Sequence, residues 1–480
     1  MSWVLTHPIL AALGVAGGII TYHFVAFLLD PYHYNDGVNG VAIPGPLLAK
    51  LSNFWLLRVA IKGDRSGVVH ELHQKYGKVV RIAPNHISIA DPDAAQELYA
   101  ANGSTKSDFY DAFVAVRRGL FNVRDPAEHA RKRKIISRIF SQKAVLEFEP
   151  YVRDKVAKLL RKWDGIYQDA VLNGTNVGTK VKASDGKAWF DVLEWFNFLA
   201  FDVIGDLAFG APFGMLDSGK DLAPVHELGS EKLEYHPAIK ILGDRGVFAS
   251  SLGVVPAWLR PLVKQLPHFT KRNGAVGKLT GIAIAAVEKR LQGPSDRNDI
   301  LSKLLKGTDR SGNPMGREEL IGEAHTQLIG GSDTTSTSSC VITYYIAMNP
   351  GVQRKLQAEL DEAWVKALPY LEAVIQEGLR IHTTLGLGLP RIVPQGGLTI
   401  AGRYYKEGSV LSVPNFTTNR DPDIWGADAD KYRPERWLGD DKVKMQKAFI
   451  PFSCGPRSCV GKNLANMNLR IFMGHYLPSI

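Results

Sequence analysis

The sequence predicts a mainly helical fold with small β-sheets, carried behind a membrane-spanning helix at the amino terminus. Three observations lead there. Apolar residues recur at three and four spacing over most of the chain up to about Arg380. Alternating runs are short and few, at residues 78–83 and 86–90, then 398–405 and 409–413. The segment Pro8–Leu29 reads PILAALGVAGGIITYHFVAFLL, without Asp, Glu, Lys or Arg. With 480 residues, 45% hydrophobic and 22% charged, the chain is composed like a folded protein, not a disordered, collagen-like or polytopic membrane one. The net charge of +10 admits nucleic acid, anionic lipid or an acidic protein as partner without choosing among them. Cys340, Cys454 and Cys459 cannot make a disulfide framework at this size, which indicates a cytosolic redox setting.

Taken in order, the apolar run is long enough to cross a bilayer. A cleaved signal peptide would want a basic start, and no Lys or Arg precedes Lys50. Residues 1–30 are therefore expected to be an uncleaved anchor. The basic residues Lys50, Arg58, Lys62 and Arg65 all follow it, which places the body on the cytosolic side. Gly14 and Gly18 form one small-xxx-small pair, weak as a dimerisation signal. Residues 31–55 end in turn-rich Pro44-Gly45-Pro46 and read as a hinge or linker. A helix over 66–76 precedes a hairpin turning at Pro84-Asn85, and further helices are predicted over 144–160, 190–209, 275–291 and 317–348. No full GxGxxG follows a strand and no GxxxxGK[ST] occurs, so neither dinucleotides nor nucleoside triphosphates have a visible seat.

The most informative segment is residues 451–461, PFSCGPRSCVG, before a helical run over 462–477. A cysteine in a glycine-pinned loop ahead of a helix has backbone N–H groups and the helix dipole to favour a thiolate. Gly455 and Gly461 would let the backbone lie close to a flat ligand, with Arg457 as a fixed charge beside it. A lone cysteine is more often a small buried hydrophobe. Here, however, Phe452, Gly455, Arg457, Cys459 and Gly461 fill FxxGxRxCxG at every position. The loop resembles the haem-binding loop of the cytochrome P450 superfamily. The resemblance implies the cytochrome P450 fold over residues 56–480, haem b as cofactor, and Cys459 as the axial thiolate on its iron. Cys340 and Cys454 fall outside the motif and read as packing residues.

Two constellations upstream extend the resemblance. Glu377 and Arg380 stand at i and i+3 on one helix face. Alone they would be a surface ion pair worth under about 1 kcal/mol. Pro434-Glu435-Arg436-Trp437 resembles the family's PERF segment, with Trp where Phe is usual. Arg436 is then expected to join Glu377 and Arg380 in a buried cluster that locks the cysteine loop. Within the helix over 317–348, Gly330-Gly331-Ser332-Asp333-Thr334 puts paired glycines where a kink or widening is permitted. Gly330 and Thr334 share a face, giving a groove with an alcohol beside it. Helix capping by Asp or Thr would not account for the two glycines. By the resemblance, Asp333 and Thr334 are the acid–alcohol pair that delivers protons to iron-bound oxygen. His325 lies half a turn out of phase with Thr334 and reads as structural.

For the haem propionates, His129 and Arg133 match the family's WxxxR pair with His in place of Trp, and Arg391 and Arg457 match two further positions. Arg131, Lys132, Lys134 and Arg138 are expected to be solvated, and with Lys431, Arg433 and Lys462 to form a basic proximal face for an acidic reductase domain.

The resemblance runs through most of the body. Residues 107–113, 117–134, 195–217, 326–340 and 388–394 are similar to the fungal benzoate para-hydroxylases. That implies insertion of one oxygen atom from O2 para to a carboxylate, with electrons from NADPH–cytochrome P450 reductase at the endoplasmic reticulum and no nucleic-acid partner. Phe109, Tyr110, Phe113 and Gly330 are the candidate pocket residues, although aromatic residues more often serve the core. No residue is assigned to hold the carboxylate. Two departures stand out. The sequence ends at Ile480, where the family continues into a carboxyl-terminal sheet, and residues 361–369 make a short connection. The alternatives are the same machinery acting on another aromatic or fungal metabolite, or a truncated, inactive haem-binding protein.

Overall fold

The computed structural model describes residues 8–35, 42–100, 104–174, 181–226, 232–292, 299–362, 368–439 and 442–476. Most of the short connection over 361–369 and the first seven residues lie outside them. Helix α1 spans Pro8–Leu29. Among the described residues no single helix is long and apolar enough to cross a membrane, the described apolar stretch of α1 being Gly17–Leu29. Tyr22 meets Trp258 edge-on at 6.1 Å and His23 meets Phe54 at 6.4 Å, so α1 leaves the body at a defined place.

The expected hinge over 31–55 is not free-standing in its described part. Tyr34 and Ile43 are buried against Ile87, Ile89 and Leu411, because a linker carrying apolar side chains gains by covering a sheet face. The Arg81 backbone N–H donates to Pro44 O at 2.8 Å, and two short helices, Leu47–Leu51 and Asn53–Lys62, follow.

The hairpin forms as expected. Strand β1 (Val79–Ala83) runs antiparallel to β2 (His86–Ile89), pairing Val79 with Ile89 and Arg81 with Ile87. Three short strands complete this sheet: β3 (Thr105–Lys106), β4 (Arg391–Ile392) and β5 (Val410–Ser412), in the order β1-β2-β5-β4-β3. The β3–β4 register sets Lys106 opposite Arg391 and so carries two cations to the same edge.

Seven further helices frame the interior. They are α2 (Pro126–Ile139), α3 (Val192–Phe209), α4 (Ala238–Gly253), α5 (Pro267–Gln292), α6 (Arg317–Met348), α7 (Pro369–Ile381) and α8 (Lys462–Tyr476). Helix α3 starts at Asp191, whose carboxylate accepts from Leu193 N–H at 2.9 Å, and is buried along nearly its whole length, as its all-round apolar sequence requires. Against it lies α6, which also touches α5, α7 and α8. Helix α4 packs on α5 and on the 3-10 turn Asp108–Phe113.

Two elements differ from the sequence reading. The helix expected over 144–160 is two, Gln142–Leu146 and Glu149–Tyr167, because Pro150 fits the first turn of a helix and not its interior. The paired glycines of α6 do not break it. Gly331 serves packing: a Cβ there would stand 2.7 Å from Ile204 of α3. Gly330 has nothing within 4 Å of that position and opens on the cavity described below.

Nor is Lys132 solvated. It is 2% exposed, and its ammonium reaches Glu319 and, at 2.8 Å, Glu323, both on α6. Arg131 bonds Glu128 at 2.7 Å and also Glu319. Facing carboxylates on α6 draw these two side chains inward, while Lys134 and Arg138 stay exposed. Lys132→Met would leave Glu319 and Glu323 buried without that ammonium. It is expected to destabilise the fold by about 3 kcal/mol, read as a lowered thermal midpoint, and an unchanged midpoint would show the α2–α6 clamp to be unimportant.

Candidate functional site

The site is built outward from Glu377. This carboxylate sits on α7 with no exposure and takes a bidentate grip from Arg380, with Nη2 on Oε1 and Nε on Oε2, each at 2.8 Å. Arg436 Nε donates to Oε1 at 2.9 Å, as does the Arg433 backbone N–H. Trp437, where the sequence departs from PERF, donates its indole N–H to Oε2 at 2.9 Å. The substituted ring thus adds a bond that Phe could not make. Both arginines spend their remaining donors on carbonyls, Arg380 on Asn419 at 2.6 Å and Ala429 at 2.7 Å, Arg436 on Trp425 at 2.7 Å. Trp437 packs at 4.7 Å, tilted, against Phe449, two residues before Pro451, which couples the cluster to the cysteine loop.

In that loop the Cys459 N–H donates to Phe452 O at 2.8 Å. Gly455 has φ +71°, and a Cβ on it would meet Tyr99 O at 2.3 Å. Its close approach is therefore to the helix Pro92–Ala100, not to a flat ligand. A Cβ on Gly461 would meet only the Cys459 Sγ, at 3.9 Å, so that side stays open. The Gly461 and Lys462 N–H groups both bond the Cys459 sulfur and lower its pKa, as do the charges of Arg133 and Lys462, but burial outweighs them and pushes the thiol up. The backbone N–H groups expected from the spacing are thus present at the sulfur. A bound metal cation would supply the missing drive.

Cys459 faces a cavity of about 410 Å³ that also receives Gly330, Asp333 and Thr334 from α6. Thr334 Oγ1 donates to Gly330 O at 2.8 Å, one turn back, so the shared face expected from the spacing is present. Burial raises the Asp333 carboxyl above its ordinary value, and it holds a proton more readily than a surface carboxylate.

Four cations and an imidazole gather at one edge. Arg457 donates to Val123 O and Arg124 O, both at 2.8 Å, Arg133 bonds Ser458 O, and Arg391 reaches Tyr110 Oη at 2.9 Å. Lys106, which the sequence reading missed, bonds Phe121 O and lies 4.7 Å over the Tyr110 ring. Burial and the charges of Arg457, Lys106, Arg133 and Arg391 drive His129 down to about 3. Lys106 is likewise lowered, by burial and then by Arg391, Arg457 and Arg133. Among the described residues, the charges acting on Lys106 and the largest acting on His129 are all cations. A buried positive cluster of this kind calls for an anion. The two propionates of a haem would match this charge, with Cys459 placed in the same cavity to hold the iron.

Of the aromatic pocket candidates, only Phe113 lines the cavity. Phe109 is 6% exposed and packs in the core, and Tyr110 is fully buried with its hydroxyl committed to Arg391. Alternation of short 3-10 turns cannot be read from periodicity, which is why the three looked equivalent. Phe121, Arg245 and His325 line the cavity without having been assigned to it. The half-turn phase argument placed His325 away from the site, but the cavity wraps far enough around α6 to reach it. Cys340 and Cys454 are partly buried packing residues, as expected.

The description "Cytochrome P450" belongs to the family whose model matches residues 44–479. The benzoate 4-monooxygenase bphA of Aspergillus niger is 45% identical over 98% of this chain and 92% of its own. The cytochrome P450 monooxygenase FCK2 of Fusarium pseudograminearum is 32% identical over 90% of this chain and 74% of its own. The cytochrome P450 monooxygenase lnbC of Aspergillus flavus is 30% identical over 90% and 84%.

Trp437→Phe removes one donor from the buried Glu377 carboxylate while keeping an aromatic ring. The expected cost is about 2 kcal/mol, measured by denaturant or thermal unfolding. Stability equal to that of the unsubstituted chain would show that the indole bond contributes nothing.

Proposed function

The chain belongs to the cytochrome P450 family, and from that premise we propose that it is a haem-thiolate monooxygenase that hydroxylates benzoate para to its carboxylate. The observation that carries this is 45% identity over nearly the full length to a benzoate 4-monooxygenase, joined to a cavity where Cys459, Asp333 and Thr334 converge. The balance is benzoate, O2, NADPH and a proton giving 4-hydroxybenzoate, water and NADP+. Bound haem supplies the reductive activation of O2 and the transfer of one oxygen atom to the ring.

The protein's own groups do the rest. Cys459 would hold the iron, with the Gly461 and Lys462 N–H groups fixing its sulfur. Arg133, Arg391 and Arg457, with His129 and Lys106 beside them, would hold the propionates. Phe452 and Gly461 line the cavity next to the ligating sulfur. Asp333 would hold a proton at its raised carboxyl, and Thr334 would present its hydroxyl in the groove left by Gly330. Glu377, Arg380 and Arg436 act at one remove, by positioning the loop.

Residues 1–30 would anchor the protein in the endoplasmic reticulum membrane, with the haem domain over 56–480 in the cytosol. Ile20, Leu28 and Leu29 of α1 are exposed, and so are Leu48 and Trp258 of the body beside it, as a lipid-facing surface would be. NADPH–cytochrome P450 reductase would dock on the opposite, proximal side. There Lys134, Arg138, Lys431 and Lys462 are exposed, while Arg433 is tied to Asp428 at 2.7 Å and offers less.

Reconstitution with reductase, NADPH and benzoate under labelled O2 tests the proposal. One labelled oxygen in 4-hydroxybenzoate is expected, and no hydroxylated product would refute it. Asp333→Asn is expected to lower hydroxylation by about 100-fold with benzoate still bound, followed as product per NADPH consumed.

A further inference from the structure

One cation of the cavity stands apart from the others. Arg245 lies on α4, on the roof formed with the 3-10 turn Asp108–Phe113, and is 5% exposed. Its guanidinium sits 5.1 Å over the Phe113 ring and donates from Nη2 to Phe113 O at 2.9 Å. Among the described residues that is the one hydrogen bond it makes, out of five N–H groups. Burial drives it down to about 10, and no neighbouring carboxylate acts against that. Asp333 lines the same cavity, yet burial alone shifts it, so the two are not a pair. An arginine this buried without an acid is costly to keep, and the remaining donors face the cavity.

His325 of α6 is its neighbour. It is 5% exposed, its Nε2 has no hydrogen-bond partner, and burial together with the charge of Arg245 holds it neutral, at about 3. That nitrogen is closed off from the cavity, so His325 offers its neutral ring as a wall beside the guanidinium. Neither residue belongs to the propionate group. The charges that press on His129 are Arg457, Lys106, Arg133 and Arg391, and Arg245 is not among them. The cavity therefore has two positive ends, one beside the cysteine loop and one under α4.

We infer that Arg245, with the neutral imidazole of His325 beside it, forms the subsite for the carboxylate of the aromatic acid, the guanidinium serving as counter-ion. The inference rests on the benzoate reading and adds the residues that select the acid and orient it. His325 and Gly330 are separated by about 7.5 Å along α6. That is on the order of one benzene ring plus a hydrogen bond. A carboxylate fixed at the His325 end turns the para carbon toward Gly330 and Thr334, so the same contact that provides affinity also dictates the position of hydroxylation.

The test is equilibrium dialysis of labelled benzoate and of benzamide, its neutral isostere, against the purified holoenzyme, with the product isomers analysed in parallel. The wild type is expected to prefer benzoate. Arg245→Met should weaken benzoate binding by about 30-fold or more and spare benzamide, and the residual product should spread to the ortho and meta positions. Arg245→Lys should keep part of the preference for benzoate over benzamide. Should the methionine variant not take up haem, Arg245→Lys and Arg245→Gln carry the same comparison. Benzoate affinity within about threefold of wild type in haem-loaded Arg245 variants, or an equal loss for benzamide, would overturn the subsite alone. Failure of the wild type to bind benzoate would overturn the benzoate reading and the subsite with it.

Discussion

The Glu377 carboxylate is the point on which the site depends. It carries two arginines, one indole and one backbone N–H, all in the interior, and through them it gathers carbonyls from residues 419–431 and the Trp425 turn. Two arginines on one buried carboxylate are tolerated because their remaining donors are met by backbone oxygens, leaving little charge unsolvated. The consequence for function is mechanical. Trp437, held by Glu377, packs on Phe449, and the segment from Phe449 leads directly into the cysteine loop. A ligand on a loop must otherwise meet the entropy of a mobile segment each time it binds a metal. Here that cost is met in folding.

A second constraint is charge. The interior brings Lys106, Arg133, Arg391 and Arg457 together around His129, and the β3–β4 pairing forces the closest approach, Lys106 beside Arg391. Such a cluster opposes folding unless an anion joins it, which ties the stability of the domain to the occupancy of its cofactor site. Arg245 poses the same demand elsewhere in the cavity, where the carboxylate of the proposed substrate would meet it. Cofactor and substrate would then be recognised by the same physics, in a cavity to which α6 presents Gly330, Asp333 and Thr334.

How much of this could be read from sequence depends on how local each feature is. The cysteine loop, the Glu377–Arg380 pair and the Gly330–Thr334 face are set by short spacings, and each appears as the spacing implied. The hairpin at Pro84-Asn85 and helix α6 followed from turn chemistry and periodicity. What escaped was determined by partners far along the chain. Lys132 looked solvated because its helix is rich in charge, and only the facing Glu319 and Glu323 of α6 make it a buried ion. Arg245 and His325 lie 80 residues apart in sequence with nothing local to mark either one, and they meet because α4 and α6 line one cavity.

The most direct measurement is the reduced, carbon-monoxide difference spectrum of the full chain expressed with haem available. The strongly red-shifted Soret band of a thiolate-ligated iron is the expected result, lost in Cys459→Ser. Well-expressed protein that takes up no haem, or shows only the band of a neutral thiol or imidazole ligand, would contradict the assignment of Cys459 and with it the monooxygenase chemistry.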